Sequence, residues 1–156
     1  MMSPQAEIAE APAREEPHLP PAVLSRAFAR LRAGAVTEAL ADLDGVRQSD
    51  WDGLDDLSRA ALLTATIDGR LARGDLTEAQ AHGEALGALL DSPGTTGATA
   101  HFGRAELAAA TGDPETAAGH LDRVGLLLGD HDDPARLPWR AAAALTAVRL
   151  GHRPEA

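Results

Sequence analysis

The chain has 156 residues, 44% hydrophobic and 24% charged, the balance of one ordinary globular domain with enough apolar material for a real core. It holds no Cys, which excludes disulfides, a thiolate nucleophile and Cys-based metal centres, and its 14 basic residues are all Arg, set against 24 acidic ones. The net charge of −10 argues against a nucleic-acid surface, no run approaches the ~20 apolar residues of a membrane span, and the first residues lack the basic then apolar start of a signal peptide, so a cytoplasmic protein is expected.

Residues 1–19 read as a disordered acidic, Pro-rich arm, because Glu7, Glu10, Glu15 and Glu16 alternate with Ala and Pro without apolar periodicity. From Pro20 to residue 156 the pattern changes to helix-period segments separated by short breaks, with no segment showing the alternation of a strand. The periodicity predicts helices over 21–33, 36–47, 55–73, 75–91, 96–111, 114–129 and 137–150. Asp75 followed by Glu78 predicts a capping box, and Asp113 followed by Pro114 predicts a cap before a residue whose missing N–H costs nothing in a first turn. Pro93-Gly94, Asp133-Pro134 and Leu137-Pro138 mark other breaks.

A repeat runs through these elements. Four times a predicted helix ends in Gly, and Ala follows five residues later: Gly34 and Ala39, Gly74 and Ala79, Gly112 and Ala117, Gly151 and Ala156. The glycines lie 40, 38 and 39 residues apart, and seven residues before each stand Ala27, Ile67, Ala105 and Ala144. Gly takes a left-handed conformation without a Cβ penalty, and the small Ala lets a second helix pack closely on the first. A lone helical hairpin cannot bury both faces, so neighbouring hairpins must stack. Gly83, Gly87, Gly119 and Gly125, inside predicted helices, are expected to mark close helix contacts at a cost of about 1 kcal/mol each relative to Ala.

The pattern resembles the tetratricopeptide repeat, in which the first helix ends at a Gly and an Ala five residues on starts the second. The resemblance covers residues 20–156 and implies an all-α, right-handed superhelical array of antiparallel helix hairpins, about three and a half repeats with the last incomplete. The period exceeds the usual 34 residues, Ile67 departs from the small-residue position, and the usual aromatics are mostly missing. Repeats of this greater length occur in large ATP-dependent transcriptional regulators of the LuxR and MalT type. The stretch from Leu137-Pro138-Trp139-Arg140 through Leu150-Gly151-His152-Arg153-Pro154-Glu155-Ala156 is similar to part of that region. No Walker loop and no basic recognition helix stand in this chain. The resemblance therefore implies the interaction segment of such a regulator, or alternatively a free-standing adaptor. The unfinished last repeat implies either a fragment or an apolar helix face covered by a second copy of the chain.

The six His residues show no metal-ligand spacing, and the acidic loop around His131 lacks the order of a calcium site, so no metal or cofactor is expected. Asp42 with Asp44, Asp50 with Asp52, and Asp55 with Asp56 read as solvated carboxylates near a turn at Trp51, and no nucleophile elbow is present, so the chain is read as a non-enzyme. In the resembled family the first helix of each hairpin lines a concave channel for a peptide or partner helix. By register Phe28, Arg32, Asp68, Phe102, Glu106 and Arg149 are the partner-binding candidates, with Leu24, Thr64, Ala141 and Leu145 beside them. Phe28 and Phe102 are equally natural core anchors in an Ala-rich array. A Lys/Asn carboxylate clamp is excluded, since both residue types are absent. Arg30 and Arg70 share a repeat position and are candidates to meet acidic side chains of a partner.

Overall fold

The computed structural model describes residues 20–46 and 48–151. The arm read at residues 1–19 and the segment 152–156 lie outside the described residues. Among the described residues there is no strand. The helices are α1 (Pro20–Arg32), α2 (Val36–Asp44), α3 (Gln48–Asp52), α4 (Asp56–Arg73), α5 (Leu76–Ala85), α6 (Gly94–Ala110), α7 (Pro114–Leu128) and α8 (Trp139–Arg149), with 3-10 turns at Leu86–Leu89 and Gly129–His131.

The four repeat glycines have one backbone conformation, with φ of 78° at Gly34, 78° at Gly74, 80° at Gly112 and 77° at Gly151. Around Gly34 its own N–H donates to Leu31 O (3.0 Å) and the Ala35 N–H reaches back to Arg30 O (2.9 Å). The same pair of bonds recurs at Gly74 and Gly112, and it satisfies carbonyls that a helix end otherwise leaves without donors. The turn then leads into the next helix, whose Ala39, Ala79 and Ala117 are each fully buried. Ala27, Ile67 and Ala105 sit opposite them with 2% exposure or less, while Ala144 is exposed.

The first helices pack in succession, α1 on α4, α4 on α6 and α6 on α8, and each carries its own partner, α2, α5 or α7, which also touches the first helix that follows. The core falls accordingly into three clusters. Leu24, Leu40, Leu43 and Leu62 fill the first junction; Leu63, Ile67, Leu86 and Leu89 the second; Phe102, Leu121, Val124, Leu128 and Leu137 the third. Helix α8 leaves Leu145 and Val148 about two-thirds exposed.

Several local expectations change. The segment around Trp51 is the short helix α3 rather than an open turn, because Trp51 packs against two of the three core clusters. Asp75 makes no capping bond; its carboxylate turns to Arg70 (3.7 Å) and Arg73 (3.8 Å). Asp113 does cap its helix, accepting from the Thr116 N–H at 3.0 Å, and Asp55 does the same for Ser58 at 2.8 Å. Gly83 and Gly125 are close contacts, since a Cβ there would stand 2.4 Å from Leu107 and 2.9 Å from Trp139, but Gly87 and Gly119 face open space. Tight contacts that the sequence did not mark are Gly69 against Leu40, Gly103 against Thr64 and Leu86, and Gly97 against Ser92 O and Leu127.

Candidate partner-binding cleft

A cavity of about 620 Å³ opens on the side of the molecule formed by α1, α4 and α6, and the connection at 135–138 closes one end. Its shape follows from the repeat. Ten residues before the helix-ending glycines stand Leu24, Thr64 and Phe102, and six before them Phe28, Asp68 and Glu106. Residues four apart lie one turn above each other on a helix face, so each first helix offers the same two positions, and all six side chains line this one cavity.

Five of the six candidates named from sequence therefore meet here. Phe28 is half-buried and packs against the first core cluster, whereas Phe102 is almost fully buried in the third and reaches the cavity from within the core. Asp68 is open to the cavity, Glu106 is half-buried beside it, and Arg32 stands exposed at the rim. Arg149 is not part of the lining; its guanidinium donates to Ala109 O at 3.3 Å, which holds it against the end of α6. Ala141 and Leu145 are exposed away from the cavity as well. Ala61 and Leu57 belong to the lining and were not named, although Ala61 lies three residues before Thr64 on the same stripe of α4. The closing segment Ala135, Arg136, Leu137 and Pro138 has no counterpart in the other repeats, so no register argument reaches it.

The electrostatics of the cleft are unusual for so acidic a chain. Burial raises the Asp68 carboxyl above its ordinary value. Glu106 is pushed up to about 8, chiefly by burial and then by the negative charge of Asp68, so it holds its proton at neutral pH. Neither carboxylate has a hydrogen bond or ion pair among the described residues. Two polar groups of the lining are engaged elsewhere: Thr64 donates its hydroxyl to Thr99 O at 3.1 Å, and the Asp55 carboxylate accepts from the amide and hydroxyl of Ser58.

The other carboxylate pairs have structural roles. Asp42, on α2, accepts two bonds from Arg26 (2.7 and 3.0 Å) and one from Arg30, both on α1, and Asp44 accepts from Arg70 of α4 at 2.7 and 2.8 Å. Hydrogen bonds from Arg26 hold the Asp42 carboxyl below its usual range. Arg30 and Arg70 do occupy one repeat position, but both are taken up within the chain rather than offered to a partner. The acidic loop after α7 is likewise anchored, Asp132 accepting from the Trp139 indole (3.0 Å) and the Arg140 guanidinium (2.6 Å). Among the described residues no three His, Cys, Asp or Glu side chains gather to hold a metal. Among them, too, no helix is long and apolar enough to cross a membrane.

Compared with protein-family models, curated proteins and solved structures, the chain finds no match in any of the three.

Proposed function

We propose that this chain is a non-enzymatic protein-interaction scaffold, a tetratricopeptide-like right-handed array whose cleft between α1, α4 and α6 takes up a peptide or a partner helix. One observation carries the reading: three successive first helices turn equivalent positions toward a single cavity of about 620 Å³, walled by Leu24, Phe28, Leu57 and Phe102. A concave, mostly apolar site with a few convergent polar groups is the ordinary form of a binding site. Membership in a LuxR/MalT-type regulator is part of the proposal and rests on the resemblance of the segment from Leu137 onward; a free-standing adaptor would use the same cleft.

The test is selection of a random displayed peptide library on the full chain. Ala61→Trp, which fills the floor of the cleft from a half-buried position, is the control, with circular dichroism to show that it folds. Binders to the parent chain that fail on Ala61→Trp are expected. Binders indifferent to that change, or none, would overturn the reading.

A second reading has a specific observation in its favour. A protonated carboxylic acid beside a second carboxylate is also the arrangement of acid–base hydrolysis. The scaffold is preferred because the polar groups of Thr64 and Asp55 on that face are occupied as described, and the repeated cavity-facing positions suit an elongated partner. Hydrolysis of an aryl glycoside panel that disappears in Glu106→Gln would reverse that preference.

A further inference from the structure

Resting on the cleft reading above, we propose that the cleft recognises an arginine side chain of its partner peptide, the guanidinium lying between Asp68 and Glu106 and the aliphatic stem against Phe28 and Phe102. The two acids come from equivalent turns of α4 and α6, close enough for the charge of Asp68 to act on Glu106, and both face the cavity. A half-buried carboxylate without a partner is costly, and Glu106 is one, with the exposed carboxylate of Asp68 facing the same cavity. The chain has arginines at hand and does not use them on this pair. Arg32 of α1 and Arg136 of the closing segment are exposed at the rim, Arg149 of α8 is held at Ala109 O, and none forms an ion pair with either acid among the described residues. On α7, His120 and Arg123 act on His101, which lies on another face of α6. The unmet requirement at this point is a cation with an apolar stem, entering from outside.

Arginine suits it better than lysine. The guanidinium is more weakly hydrated than an ammonium and presents a planar fork whose two edges can each meet one carboxylate. The same enclosure couples binding to protons. An entering cation favours the ionised pair, so the proton that Glu106 holds at neutral pH leaves to solvent as the guanidinium docks. Affinity is therefore expected to climb with pH and to level off above about 8.

The experiment uses two arms of the displayed library, one complete and one built without Arg and Lys, each sorted on the full chain and then on Ala61→Trp. The complete arm is expected to return cleft binders that share an Arg, and the depleted arm to return none of comparable affinity. For an Arg-bearing binder, the double variant Asp68→Asn, Glu106→Gln should weaken binding by about 30-fold. Replacing that Arg by norleucine should weaken binding to the parent chain similarly and leave binding to the double variant unchanged. Between pH 6 and about 7.5 the parent chain should gain close to tenfold per pH unit, and Glu106→Gln should be flat. Depleted-arm binders that match the others and are blocked by Ala61→Trp would leave the cleft standing and overturn the arginine anchor. A pH-independent affinity for the Arg peptide would overturn its placement against Glu106. Absence of blocked binders from both arms would remove the cleft reading and this inference together.

Discussion

Asp42 on α2 and Glu106 on α6 are carboxylates of one acidic chain in opposite circumstances. Asp42 receives two arginines from α1, and its neighbour Asp44 receives a third from α4, so charge pairs join successive helices of the array. Glu106 and Asp68 receive none and face a cavity whose walls mix Leu, Ala and Phe side chains with hydroxyls and the exposed Arg32 and Arg136. With 14 arginines against 24 acids, unpaired carboxylates are expected, and at the surface water meets that need without strain. An unpaired couple inside a cleft is different, because burial and mutual repulsion both work against the charged form. The contrast separates acids that tie the helices together from acids whose surroundings work against their charge.

The largest expected effect tests the costly side. The folded chain holds the Glu106 proton more tightly than the unfolded chain, so the stability it contributes is complete below about 4.5 and is lost as pH rises through about 8. Glu106→Gln should therefore be the more stable protein at high pH. The gap should grow from near zero at pH 4.5 to about 2 kcal/mol at pH 9, a figure reduced from the full linkage because the cleft admits water. Urea unfolding at the two pH values measures it, and a gap that does not change with pH would remove Glu106 from the costly class. Asp42→Asn should behave in the opposite sense. The Asp42 carboxyl is held below 3.8, so its contribution is present above that value and lost as pH falls through the folded value. At pH 7 the variant should melt about 3 °C lower, and the deficit should close in strong acid. If the two variants shift stability with the same pH sign, the division between the two regions fails.

Legibility in the sequence followed the range of each interaction. The left-handed glycines, the buried Ala39, Ala79 and Ala117 that follow three of them, and the Asp113 cap depend on residues within one turn, and all were readable from spacing. The direction in which Phe28, Asp68 and Glu106 face also came from register, because a repeat carries one helix face forward from copy to copy. Features set by tertiary contact were not readable. Arg30 and Arg70 stood out as a matched pair, but their partners Asp42 and Asp44 belong to other helices. Asp75 was given a cap that its nearby arginines draw away, and Trp51 formed a helix because of what it packs against. Glu106 was placed on the channel face by register, but its raised proton affinity was not readable, since only the assembled cavity and Asp68 beside it make it hold its proton.

The smallest effect concerns a buried polar contact that is paired yet still acid-sensitive. His101 of α6 and His120 of α7 bring their Nδ1 atoms within 2.8 Å, and His101 Nε2 lies 3.2 Å from Leu90 O. A carbonyl only accepts, so His101 carries its proton on Nε2 and its Nδ1 accepts from the Nδ1–H of His120. Protonating His101 would place two N–H groups in a gap that holds one. Burial lowers both imidazoles, with the neighbouring His101 and Arg104 adding to it at His120. The sign is that of groups whose folded values lie below 6.5: the contact contributes fully above 6.5 and is lost as pH falls through the folded values. Glu106 titrates in the opposite sense over part of this range, so the measurement belongs in a Glu106→Gln background. His82, also lowered by burial, is common to both proteins compared and cancels. In that background the unfolding free energy from urea titration should drop between pH 7 and pH 5, and His120→Leu should shrink the drop by about 0.5 kcal/mol. An undiminished drop would place the acid sensitivity elsewhere and leave the α6–α7 contact indifferent to protons, joining it to the packing that the glycines and alanines already provide.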